Sequence, residues 1–242
     1  MKRAFADLHL NLKNAFDVPL LIRKAAALGY KLIAAPLAPQ TIENEAQLLQ
    51  AMCRDVKIDF ASRVDIKPKN PNDLTRQLQK LRRKVEIICV ICENKEVARQ
   101  AAKDHRVDLL NFPSIDTRKR FFNAAEAELA CNSLAALEID TAPLLTLEGP
   151  PRIRLLASLR REIAIAIKFQ VPIVLSSGAS NVLLLRKPRE QAFLTSLLDL
   201  NESAALDAVS TNPVAIVKRN RQKLSAGFVA PGIRIIREGK DC

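Results

Sequence analysis

Short apolar runs alternate with helix-forming segments from one end of the chain to the other. The runs are residues 4–9, 31–35, 57–64, 85–92, 107–112, 134–140 and 172–176, and each is followed by enough chain for one helix. Asp17-Val18-Pro19 and Asn70-Pro71 each offer an N-cap and an early proline, placed where the missing N–H costs nothing. After Pro151 the 3.6-residue period places Leu156, Leu159, Ile163 and Ile167 on one face. Repeated strand–helix units require parallel pairing, and parallel strands need both faces covered. About seven such units in 242 residues predict a TIM-like (β/α) barrel, incomplete or distorted, with a doubly wound open sheet as the alternative. Residues 202–224 read as two helices, the second opened by Thr211-Asn212-Pro213. No linker divides the chain, so residues 1–242 are expected to form a single domain, with 225–242 a tail or an edge strand.

A 48% hydrophobic content supplies a sizeable core and excludes wholesale disorder. The net charge of +12 favours polyanionic partners. Nine Phe, one Tyr and no Trp leave little material for stacking unpaired bases, so a nucleic acid would be held by its phosphates. The longest uncharged run, residues 169–185, is broken by Ser176–Asn181, and no membrane segment is expected. Met1–Asp7 acquires an acid before any apolar stretch and does not read as a signal peptide. Five cysteines, an odd number, do not make a disulfide framework, and a cytoplasmic location is expected.

Asp7-Leu8-His9 closes the first strand. Residues i and i+2 share a strand face, so Asp7 and His9 are expected to point together at the C-terminal rim, with Arg63 nearby. Asp65, Glu93, Glu138 and Asp140 offer further oxygens, but the other histidine, His105, falls at the opposite rim. A buried Asp7–His9–Arg63 hydrogen-bonded cluster is therefore favoured over a metal site. Cys89 and Cys92, three apart in a strand, face opposite ways and cannot converge on one ion. The Ser176–Asn181 loop offers hydroxyls and N–H groups that suit a phosphate. Basic runs recur at Arg82–Lys84, Arg118–Arg120, Arg160-Arg161, Arg186–Arg189 and Lys218–Lys223. A parallel barrel would bring Arg118–Arg120 and Arg186–Arg189 to one rim, since both follow strand ends.

Asp7-Leu8-His9, residues 137–139 (LEI), residues 173–181 (IVLSSGASN) and residues 209–221 (VSTNPVAIVKRNR), in this order, resemble the archaeal ribonuclease P protein component 3 family over Phe5 to about Leu224. That family is related to the polymerase-and-histidinol-phosphatase (PHP) group of metal-dependent phosphoesterases, whose barrel opens with a His-x-His pair. Here Asp7 replaces the first His, and Ser210-Thr211-Asn212 stands where the group has a late Asp-x-His. The resemblance implies a PHP-like barrel with a vestigial site at Asp7, His9 and Arg63, no catalytic residue, and no metal or cofactor held by the chain. It implies a subunit of the ribonucleoprotein that removes 5′ leaders from precursor tRNA. The partners would be ribonuclease P RNA, which uses Mg²⁺, and the small α/β protein subunit, in a two-plus-two heterotetramer. The expected RNA contacts are Lys67, Lys69, Arg118, Lys119, Arg120, Arg186, Lys187, Arg189, Lys218, Arg219 and Arg221. The competing reading is a PHP-like metal-dependent phosphoesterase using Asp7 and His9; a basic scaffold of another RNA particle is a third.

Overall fold

The computed structural model describes residues 3–12, 17–230 and 233–234. Seven strands lie in sequential order: β1 (Ala6–Asp7), β2 (Leu32–Pro36), β3 (Asp59–Ile66), β4 (Ile87–Ile91), β5 (Leu109–Asn111), β6 (Ala136–Asp140) and β7 (Ile173–Ser176). Every neighbouring pair is parallel. This order makes a nearly closed TIM-like barrel and excludes the doubly wound alternative, whose strand order reverses. The outer layer comprises α1 (Val18–Leu28), α2 (Ile42–Asp55), α3 (Pro71–Leu81), α4 (Lys95–Lys103), α5 (Ala124–Ser133), the short α6 (Ala142–Thr146) and α7 (Gly149–Lys168). After β7 come α8 (Pro188–Phe193), α9 (Glu202–Ala208) and α10 (Thr211–Leu224).

Local chemistry sets the helix starts. The Asp17 carboxylate accepts the Leu20 N–H at 2.8 Å, and the Asn70 amide oxygen accepts that of Asp73 at 2.9 Å. In α7 the period is right but the phase differs from expectation. The buried stripe is Leu155, Leu159, Glu162, Ile163 and Ala166, and Ile167 is exposed. Its phase accommodates Glu162, a buried acid with its partner on another segment.

Seven strands do not close by a regular ladder, and the seam between β1 and β7 is sealed in three other ways. At the C-terminal end Leu10 bridges Ala179, and His9 O accepts the Gly178 N–H at 2.8 Å. Gly178 has φ +63°, and a Cβ there would meet the Asp140 Cβ at 3.2 Å, so glycine is needed for the approach. Midway, the Asp7 carboxylate accepts the Ser177 N–H at 2.9 Å. At the N-terminal end the Ala6 N–H reaches Val209 O, between α9 and α10, at 2.9 Å.

Helix α10 lies across the N-terminal end of the barrel. Its Ile216 and Val217 join Ala6, Leu8, Leu32, Ala34, Ala61, Ile87, Cys89, Leu109, Ala136 and Val174 in the apolar half of the barrel interior. Asn212 donates to Ile173 O at 2.8 Å, and Asn220 donates to Glu86 O at 2.7 Å. The helix therefore crosses from β7 to β4. Phe228–Ala230 and Ile233–Arg234 form a separate antiparallel pair, β8 and β9, so this segment is not an edge strand of the main sheet. The rest of 225–242 beyond these strands lies largely outside the described residues.

Ile216 is buried at the base of the barrel. Ile216→Ala should lower unfolding free energy by about 2–4 kcal/mol in urea melts. Ala215→Ser, on the exposed face of the same helix, should change it by less than about 0.5 kcal/mol.

Candidate functional site: the barrel mouth and the basic surfaces

Alternation along the strands turns the interior from apolar to charged between its two ends. Above Ala61, β3 places Arg63 and Asp65; above Ala136, β6 places Glu138 and Asp140. Arg63 is fully buried and spans the barrel to Glu138 with two bonds, Nη1 to Oε1 at 2.5 Å and Nη2 to Oε2 at 2.7 Å. Its Nε donates to Asp65 at 2.6 Å, and Nη1 also donates to Leu8 O at 2.8 Å. Asn111 donates to Glu138 at 3.0 Å and to Asp140 at 3.1 Å. His9 Nδ1 lies 2.8 Å from Asp140, and its Nε2 lies 3.6 Å from Asp65. Arg63, Glu138, Asn111, Asp140, His9 and Asp65 thus form a closed ring across the mouth.

The ring governs its own protonation. Burial opposes the Glu138 charge, yet Arg63 outweighs burial and holds the carboxyl well below its usual range. Burial likewise opposes an imidazolium at His9, but Asp140, helped by Asp65, holds its pKa up at about 9 against the repulsion of Arg63. Burial pushes Asp7 up to about 6, against the hydrogen bonds from Ser177.

Asp7 is not a member of this ring, which corrects the expected Asp7–His9–Arg63 cluster. Its carboxylate accepts the backbone N–H groups of Ser177 and His9 and bonds neither the His9 imidazole nor Arg63. The backbone bends after Asp7, where β1 ends, so the i, i+2 rule does not carry through to His9. Asp7 is a seam residue between β1 and β7.

A metal ion at these side chains would have to displace bonds they already make. One ligand atom each from His9, Glu138 and Asp140 lies within 4.8 Å of the others. Both Glu138 oxygens already accept from Arg63, and Ser176 Oγ (2.7 Å), Asn111 and Cys89 Sγ (3.4 Å) add to them. Both Asp140 oxygens are likewise engaged, and His9 holds its proton at neutral pH. The guanidinium supplies, as part of the chain, the positive charge that a metal ion would bring.

Cys89 faces the barrel interior and Cys92 the helix layer, as the strand spacing requires. The phosphate cradle expected at Ser176–Asn181 is absent. The N–H groups of Ser177, Gly178 and Ala179 go to Asp7, His9 O and Ser177 Oγ, and the Ser176 hydroxyl goes to Glu138.

The basic residues divide between the two ends of the barrel. Lys67, Lys69, Arg118 and Lys119 are exposed at the C-terminal rim, but Lys67 pairs with Glu93 at 2.6 Å and Arg118 with Asp116 at 3.1 Å. Arg120, expected with them, is not exposed at the rim. Its side chain is buried in a two-bond pair with Glu162 (2.8 and 2.5 Å) and donates to Phe112 O.

Arg186, Lys187 and Arg189 lie at the opposite end from Arg118, which overturns the shared-rim expectation. The loop after β7 runs back along the barrel, and the Tyr30 hydroxyl, just before β2, donates to Arg186 O at 3.1 Å. Arg186 donates to Leu183 O and Leu185 O. On α10, Lys218 is exposed, whereas Arg219 binds Asp108 and Leu134 O. Arg221 binds Asp59, Glu86 and Phe60 O. Arg219 and Arg221 therefore hold α10 to the barrel, with part of each side chain still reaching solvent. Sequence reasoning missed Asn111, Glu162 and the exposed Lys31; for the ring, charged residues at i and i+2 inside apolar runs were the available signal.

Fold and mouth together define a class: a seven-stranded barrel of the TIM type whose mouth is filled by its own ion-pair ring. The family model for RNase P subunit p30 matches residues 4–225. Ribonuclease P protein component 3 of Methanosarcina barkeri is 35% identical over 176 residues, covering 73% of this chain and 72% of that protein. A chain in the cryo-EM structure of archaeal ribonuclease P with mature tRNA superposes with a TM-score of 0.85 at 24% identity, covering 98% of this chain and 100% of that one. An Aspergillus niger ochratoxinase shares the fold alone, with a TM-score of 0.64 at 12% identity over 89% of this chain and 71% of that one. The chain belongs to the RNase P subunit p30 family.

Removing Arg63 leaves Glu138 buried and uncompensated, so Arg63→Met should cost about 3–5 kcal/mol of unfolding free energy. Arg63→Met with Glu138→Leu should recover part of that loss in a double-mutant cycle, whereas additive losses would deny the coupling. His9 makes a pH-dependent contribution. Its pKa is raised from 6.5 to about 9 in the folded state, so its stabilisation is complete below 6.5 and is lost as pH rises through about 9. Melting temperature should fall across that window, and His9→Gln should flatten the fall.

Proposed function

We propose that this chain works as a protein subunit of ribonuclease P, supporting the RNA that cleaves 5′ leaders from precursor tRNA. The carrying observation is the family match over residues 4–225 on a barrel whose mouth is filled by Arg63 and its partners. At the mouth His9, Glu138 and Asp140 are already engaged with one another and with Arg63 and Asn111, and in this reading the partner RNA, with its Mg²⁺, supplies the hydrolytic chemistry. The chain's contribution is positive charge. Exposed lysines and arginines neutralise phosphates, release counterions and let RNA helices pack against their mutual repulsion.

The protein partner in this reading is the small α/β subunit, in a two-plus-two heterotetramer. The exposed Phe193, at 76%, and Leu197 give the end of α8 and the turn after it an apolar surface suited to a protein. In this reading the particle works in the cytoplasm. Among the described residues no helix is long and apolar enough to cross a membrane.

Affinity purification with and without nuclease, followed by sequencing of the retained RNA, tests this. Ribonuclease P RNA should be recovered only without nuclease; recovery of a different structured RNA would favour a scaffold of another particle. The purified chain should show no saturable phosphoester hydrolysis. Hydrolysis abolished by chelator and by His9→Ala would favour the phosphoesterase reading.

A further inference from the structure

The N-terminal end of the barrel carries a continuous trough. One depression, of about 930 Å³, is lined by Phe5, Leu28, Lys31, Lys187 and Arg189; its neighbour, of about 530 Å³, by Lys31, Leu32, Asp59, Lys218 and Arg221. Ala4 and Lys31 belong to both, so Lys31 stands at the junction.

The balance of charge here differs from that at the other rim. Lys31, Arg189 and Lys218 are exposed and have no ion-pair partner among the described residues. Lys187 has only a 3.9 Å contact to Glu190. The acids of the trough are occupied: Asp59 is held by Arg221, Glu190 accepts the Lys187 N–H at 3.2 Å, and nearby Asp207 is paired with Arg3. At the C-terminal rim Lys69 and Lys119 are also unpaired among the described residues, but Lys67 and Arg118 are partnered by Glu93 and Asp116, and the mouth beside them holds Asp65 and Asp140. A polyanion approaching that rim meets charge that is partly compensated. At the N-terminal end it meets cations ready to exchange water and counterions for phosphates.

The floor favours a nucleic-acid backbone over a protein segment. Phe5, Leu28 and Val214 are half-buried and Leu32 and Val217 buried, so no large apolar side chain projects to be covered. We infer that the N-terminal end of the barrel is the surface that holds RNA, with Lys31, Lys187, Arg189 and Lys218 each placed against the phosphate backbone. This rests on the proposal that the chain works bound to RNA. It reverses the usual polarity of the fold, in which ligands meet the C-terminal rim.

The test is filter binding of the full chain to a transcribed Methanosarcina ribonuclease P RNA across a salt series. Two variants are compared: the trough variant Lys31→Gln/Lys187→Gln/Arg189→Gln/Lys218→Gln, and the rim variant Lys69→Gln/Arg118→Gln/Lys119→Gln. All these side chains are exposed, so both variants should melt like the parent, which excludes misfolding as a cause. The trough variant should lose at least about tenfold in affinity near 0.1 M salt, with a log–log slope shallower by about 2–3, given about 0.7–0.9 per phosphate. The rim variant should bind like the parent.

Loss confined to the rim variant would overturn the inference while leaving the RNA-bound reading intact. Full RNA affinity in the trough variant with failed capture of the small α/β subunit would assign the trough to a protein, and would also overturn it. No RNA binding by the parent chain would instead defeat the RNA-bound reading on which the inference rests.

Discussion

The buried pair between Arg63 and Glu138 joins strands that are three places apart in a seven-strand barrel, so it spans the interior from wall to wall. Desolvating two charges costs several kcal/mol for each ion, and only good geometry with further hydrogen bonds offsets that cost. Both conditions are met. The pairing is two-pronged, and Leu8 O, Asp65, Ser176 and Asn111 satisfy what remains. The ring then draws in Asp140 and, through it, His9, whose own charge is stabilised in return. A slip in the register of β3 or β6 would bury one of these charges alone. The pair therefore contributes to which barrel forms as well as to how firmly it holds.

The same pair determines what the mouth is able to do. Barrel enzymes with a metal centre keep carboxylate and imidazole lone pairs directed at an ion and leave a position open for substrate. Here Asp140 holds the imidazole pKa up at about 9, and both oxygens of Glu138 and of Asp140 take part in hydrogen bonds. The cationic group is covalently part of β3, so it cannot exchange, and it lacks the Lewis acidity that would activate water. Ochratoxinase shares the architecture, yet fold alone does not carry chemistry across.

Much of the fold is legible from local patterns. The seven apolar runs, the Asp17 and Asn70 caps, and the opposed faces of Cys89 and Cys92 depend on spacing within a few residues, which sequence displays directly. What escaped the reading depends on partners far away along the chain. Arg120 looks like one of three adjacent basic residues, and only Glu162, on a helix distant in sequence, makes it structural. The phase of α7 departs from its apolar spacing for the same reason, since the polar Glu162 turns inward to Arg120. Asp7 and His9 obey strand alternation only while the strand continues, and the bend after Asp7 ends it.

Basic runs illustrate the limit most directly. Arg186–Arg189 follow a strand end and so belong, by the barrel rule, at the C-terminal rim; the returning loop carries them to the other end, where Tyr30 fixes Arg186. Within α10, Lys218, Arg219 and Arg221 are close neighbours in sequence, but helical rotation separates their duties. Arg219 and Arg221 reach Asp108, Asp59 and Glu86 and fasten the helix beneath the barrel, while Lys218 remains in solvent. A count of positive residues measures attraction at long range, which is screened within about 10 Å at 0.1 M salt. At contact, the relevant quantity is the number of cations with no acid of their own to satisfy. By that measure α10 has two duties: Ile216 and Val217 cover the base of the core, and Lys218 stands in solvent with no acid of its own among the described residues.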